Sequence, residues 1–191
     1  MTFKAMFLLS SAALALASCH KNDAEDAPAT NTVATAPDAA SNVAAPAPAT
    51  SAGQTFANTA AASDAFEIEA SKLALTSATT PAIKAFAKKM IEAHTDSTAK
   101  LKAAAASATP GITPDPSLSA DQQQMLDGLK AETGAAFDHA YVADQVTAHQ
   151  KTLDALKAYS TGGDVQALKM FAGTLIPIVT AHLNMAKGIK G

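Results

Sequence analysis

One cysteine, Cys19, is all that the chain carries, which excludes an intramolecular disulfide and any paired-cysteine metal or redox motif. Tryptophan is absent, tyrosine occurs twice and phenylalanine seven times. A core built from what remains, mostly Leu, Ile, Met and Ala, suits close-packed helices better than β-branched strands. Basic residues form no block and the net charge is -3. Nucleic-acid binding needs clustered Lys and Arg to displace counterions from phosphates, so that class is set aside. Nor does a strand-turn nucleophile motif or a Ser-His-Asp or Cys-His arrangement occur.

The place of the cysteine is informative. Residues 1–18 read as an export signal, with Lys4 at the positive start, an apolar run from Met6 to Ala17 and small residues after it. That run is too short for a convincing transmembrane helix. Leu16-Ala17-Ser18-Cys19 resembles the lipobox of bacterial lipoproteins. The resemblance implies cleavage before Cys19, lipidation of its thiol and a mature protein held to a membrane by acyl chains. His20 follows, with no aspartate to signal inner-membrane retention, so the expected address is the outer membrane, facing the periplasm. Residues 19–53 are rich in Ala, Pro and Thr, with Val33 and Val43 as the only sizeable aliphatics. Such a segment buries too little apolar surface to offset chain entropy and reads as a disordered tether, stiffened by Pro28, Pro37, Pro46 and Pro48.

From residue 54 to 191 the texture is helical. The periodicity predicts a helix over 56–78, stopped by Thr79-Thr80-Pro81, with Thr80 a good N-cap and Pro81 tolerated in the next first turn. A second helix runs to about residue 107 on the stripe Ile83, Phe86, Ala87, Met90, His94, Thr98 and Leu101. Prolines 110, 114 and 116 forbid helix next. Ser119 with Gln122 then resembles a capping box that opens a short helix through Leu126 and Leu129. A long helix over about 135–160 follows, then the Gly162-Gly163 turn and a last helix from Asp164 to about residue 189, with a kink expected at Pro177. The expected fold is all-α, a four-helix bundle. The two halves echo each other, Ile83-Lys84-Ala85-Phe86-Ala87 against Leu168-Lys169-Met170-Phe171-Ala172. The 27 or so residues between the second and third long helices can cross the bundle lengthwise; a simple up-down return is the alternative.

Polar residues occupy stripes where a core belongs. Asp138, Tyr141, Gln145 and His149 share one face of the third long helix, and His94 and His182 lie on largely apolar stripes of two others. From the helical rise, Glu67, His94 and His149 fall at one level, about 17–21 Å from the Thr80 turn, whereas His182 falls about 10 Å from His149. Glu67 lies about 90° from the centre of its helix's apolar face and so flanks the core, within reach of its interior. Such N and O donors suit a first-row transition metal, with Glu67, His94, His149 and His182 as the ligand set. No Glu stands three residues before a His, so the paired motif of carboxylate-bridged di-iron oxidases is missing and the chain is not expected to be an enzyme. The other reading is a non-catalytic domain with a binding or structural role, its histidines neutral and hydrogen-bonded to a buried polar network of Asp138, Tyr141, Gln145 and Glu67. The methionines read as core filler.

Taken together, Glu67-Ile68 with Leu73-Ala74, Phe86-Ala87 with Met90 and His94, Phe137-Asp138 with Tyr141 and His149, and Leu175-Ile176-Pro177 with His182-Leu183 resemble the bacterial family called domain of unknown function 4142. The resemblance covers about residues 54–189. It implies an exported protein with a ferritin-like bundle, hence the crossover connection with its short extra helix, and no established activity. His94 follows Ala93 where the resemblance implies an aspartate, so that acid's hydrogen bond is missing. The protein partner and oligomeric state have no sequence signal; the membrane, through Cys19, is the partner expected.

Overall fold

Punctuation at the helix ends sets the element order in the computed structural model, which describes residues 50–190. Helix α1 is Ala52–Ser77, α2 Pro81–Ala106, α3 Ala120–Ala131, α4 Gly134–Gly162 and α5 Gln166–Gly188, with no strand among the described residues. Ser51 caps α1 by accepting the Gln54 N–H at 3.1 Å, so the helical region begins two residues inside the segment read as tether. Cys19, the expected signal and the expected tether up to residue 49 lie outside the described residues. Ser119 and Gln122 form the expected capping box on α3. Gly134, at φ +62°, makes the turn into α4. Pro177 sits inside α5, which continues to Gly188.

Two expected caps are filled differently. Thr80 makes no side-chain bond to the helix it precedes; its hydroxyl donates to Asp138 Oδ2 at 2.6 Å. Asp164 does not open α5, which starts two residues later; its carboxylate accepts the Tyr159 hydroxyl at 2.8 Å.

The connection between α2 and α4 decides the topology. Gln54 Nε2 donates to the Thr113 carbonyl, Asp115 N–H to Asn58 Oδ1 and Gln122 Nε2 to the Ala62 carbonyl. The segment therefore climbs alongside α1 from its N-terminal end. It delivers α4 to the α1–α2 turn, where Asp138 accepts four hydrogen bonds of 2.6–3.0 Å from the backbone and hydroxyls of Thr79 and Thr80. This is the ferritin-like crossover: α1 and α5 run one way, α2 and α4 the other, and each neighbouring pair of these four long helices is antiparallel. At the opposite end Gly53 meets the α4–α5 turn so closely that a Cβ there would lie 2.8 Å from Val165 Cγ2.

The core has two apolar halves. One holds Phe56, Leu101, Leu153, Leu156, Tyr159 and Phe171, with Phe56 stacked on Tyr159 at 4.0 Å. The other holds Phe66, Ile83, Phe86, Met90, Phe137 and Tyr141. Between them, on all four long helices, lies a buried polar layer of Asp64, Glu67, His94, Ser97, Gln145, His149 and His182.

Asp138 is 1% exposed, and although burial opposes its charge, the four Thr79 and Thr80 hydrogen bonds outweigh it and hold the carboxyl below its usual range. A carboxyl with a folded pKa below its unfolded value stabilises the fold above about pH 4 and loses that contribution as pH falls through the folded value. Asp138→Ala should cost about 2–3 kcal/mol in urea unfolding at neutral pH, leaving four donors unmet. It should also flatten the acid limb of the stability profile.

Candidate metal centre

Each histidine of the layer is placed by a different helix. His94 comes from the middle of α2, His149 from the middle of α4 and His182 from the last third of α5. Their ring centroids are 5.6 Å (His94–His149), 5.9 Å (His94–His182) and 5.6 Å (His149–His182) apart. One ligand nitrogen from each lies within 4.8 Å of the other two. A trigonal site with bonds of about 2.0–2.1 Å has N···N edges of about 3.5 Å, so each ring need move by less than about 1 Å to close on an ion.

Two of the three tautomers are set by hydrogen bonds on the far side of the ring. His94 Nδ1 lies 2.8 Å from Asp64 Oδ1, a buried contact between α1 and α2, and Thr98 Oγ1 donates to the other Asp64 oxygen at 3.2 Å. His149 Nδ1 donates to the Gln145 carbonyl at 2.8 Å and has Glu67 Oε1 3.2 Å away. With both Nδ1 atoms protonated, both Nε2 atoms present lone pairs. His94 Nε2, His149 Nε2 and His182 Nδ1 are all buried without a partner. Buried polar atoms are normally paired, and three unpartnered ring nitrogens in one place are a donor set that suits a cation.

The electrostatics of His149 and His182 favour the same role, whereas at His94 an ion would have to displace a proton. Burial opposes a proton on His94, but the Asp64 hydrogen bond and the nearby Glu67 carboxylate outweigh it and raise the pKa. Burial, with His94 beside it, depresses His149 to about 3, and burial with His94 and Lys89 depresses His182 to about 4. Those two imidazoles are neutral at physiological pH, the form that binds metal.

A family model described as "Domain of unknown function (DUF4142)" matches residues 38–189. The chain belongs to that family. No curated protein matches it by sequence. Among solved structures, the DUF4142 chain is similar to CopM in the Cu(I)-bound form, at 19% identity and a TM-score of 0.59 over 71% of this chain and 92% of that one. It is also similar to CopM in the Cu(II)-bound form, at 17% identity and a TM-score of 0.60 over 71% and 93%. At those identities the likeness is one of fold.

Several sequence expectations need correction. His182 is not about 10 Å from His149 but in van der Waals range of both other histidines; a helical rise counted from a distant turn does not capture how far α5 is shifted along the bundle. Glu67, expected at the flank of the core but able to reach in, is 1% exposed, because α3 and α4 also pack on α1. It stands behind His149, outside the group of three histidines. The Asp138, Tyr141 and Gln145 network does not form as one: Asp138 ties the α1–α2 turn, the Tyr141 hydroxyl pairs with Ser71 at 2.9 Å, and the Gln145 amide has no partner. Asp64 was missed by sequence reading. It is the carboxylate that His94 lacks at position 93, supplied by another helix, and its place three residues before Glu67 was the available signal.

Burial pushes the Glu67 carboxyl up to about 7, against the opposing pull of His94 and the Gln145 amide, which lies near it without being aligned to bond it. Because the folded pKa exceeds the unfolded one, the contribution of the neutral Glu67 carboxyl is fully present below about pH 4 and is lost as pH rises through about 7. Glu67→Gln should remove that slope and stabilise the metal-free protein at alkaline pH by on the order of 2 kcal/mol, read from urea midpoints across pH.

Proposed function

We propose that this protein is a metal-binding lipoprotein of the cell envelope, with copper held by His94, His149 and His182. The observation that carries the reading is the convergence of three buried, unpartnered imidazole nitrogens, two of them aimed by hydrogen bonds at the far ring nitrogen. A merely architectural layer would satisfy those atoms within the protein. Imidazole suits copper, zinc, iron and nickel, and among divalent ions of that row copper binds most tightly. Similarity in fold to a protein solved in two copper-bound forms supports copper over the others. Asp64 orients His94 and raises its basicity, while Glu67 supplies negative charge behind His149 to offset the ion. The role is binding, without turnover. Lipidation at Cys19 and the outer-membrane address complete the proposal and rest on the lipobox resemblance alone.

The deciding experiment is elemental analysis of the protein exported in its native host and purified without chelator or affinity tag, beside the His94, His149, His182 triple-alanine variant. Close to one copper per chain in the first and none in the second is the expected result. Stoichiometric zinc would keep the centre and change its metal. No metal in either protein would make the histidines core architecture. Asp64→Asn should keep the fold and weaken copper binding about 10–100-fold in competition with a chromophoric chelator.

A further inference from the structure

A cavity of about 30 Å³, lined by residues of all four long helices, borders the histidine cluster. His94 and His182 both line it, and His149 does not. Asp64, Ser97 and Thr152 add polar atoms to its wall. Space of this size admits one water or a ligand of two or three atoms, and polar walls are what a resident water requires. Most of those polar atoms are engaged already. Asp64 holds His94 and Thr98, and Thr152 Oγ1 lies 2.7 Å from Ser63 Oγ. Ser97 lies one turn along α2 from His94, lines the cavity beside it and is 7% exposed. Ile178 lines the cavity and is 38% exposed, so the space is one side chain from solvent.

Metal centres that are only structural are closed by four protein ligands, whereas three protein ligands leave a position open. We infer that the metal held by the three histidines keeps one coordination position facing this cavity, for water or another small neutral ligand steadied by the Ser97 hydroxyl. This rests on the three-histidine reading above. The ligand class follows from charge as well as size: Asp64 and Glu67 already place two carboxyl groups in the layer, which disfavours an added anion. Ala93 forms part of the cavity wall on α2 and Ala60 part of it on α1. A larger side chain at either position would occupy the space without replacing a histidine.

Carbon monoxide is a suitable probe, being neutral, diatomic and detectable by its infrared stretch on Cu(I). The whole protein, loaded with Cu(I) under anaerobic conditions, should show one carbonyl band. Ala93→Leu should retain its copper and weaken carbon monoxide binding by at least about tenfold, since the ligand would have to displace packed atoms. Ala60→Leu reads the same effect from the α1 wall should Ala93→Leu fail to fold. Ser97→Ala should keep the band, shift its frequency and weaken binding about fivefold, the loss of one ordinary hydrogen bond. Copper-loaded protein with no carbonyl band, or filled-cavity variants that bind carbon monoxide as well as the parent, would overturn the open position and leave the three-histidine centre standing. A chain that takes up no more copper than the triple-alanine variant would overturn both.

Discussion

Everything in this bundle is arranged around the cost of putting ionisable side chains at mid-height in an apolar core. Asp64, Glu67 and three histidines sit between two hydrophobic halves, each nearly inaccessible to water. Groups so placed must be paired or neutral. The contact between Asp64 and His94 meets that demand at one corner, and loss of the proton at His149 and His182 meets it at two more. What stays unmet is the set of three ring nitrogens and the Glu67 and Gln145 side chains. These unmet groups converge in one layer, and the proposal of a bound metal rests on that convergence.

The crossover is what makes such a layer possible. Because α3 and the extended run before it climb beside α1, α4 enters at the α1–α2 turn and descends parallel to its diagonal neighbour α2. Asp138 locks that entry with bonds to Thr79 and Thr80. His149 is thereby brought level with His94, and α5, returning antiparallel, brings His182 to the same height. The two echoing hairpins open their second helices at opposite ends: Phe86 lies in one apolar half and Phe171 in the other. Each half is thus closed by aromatic packing, and the layer between them is left to the smaller polar side chains.

Within the layer, the aiming of the rings matters more than the count of histidines. A backbone carbonyl of the same helix orients His149, while His94 depends on a carboxylate from another helix. Where the resemblance implies an aspartate beside His94, this chain has Ala93, and the small side chain at that position forms part of the cavity wall.

The sequence by itself determined the helical class, the four long helices and the extra short one, the capping box at Ser119, and the inward stripes carrying His94 and His149. These follow from periodicity and turn chemistry, which are local. It also identified the family, because blocks spread over the whole folded region match together. Only the tertiary structure decided that His182 joins the cluster, that Glu67 is buried behind His149, that Asp138 serves the turn, and that Asp64 is the partner of His94. Each of these depends on the axial shift and rotation of one helix against another. That shift is set by the summed packing of many side chains across the core, and no single helix's pattern contains it.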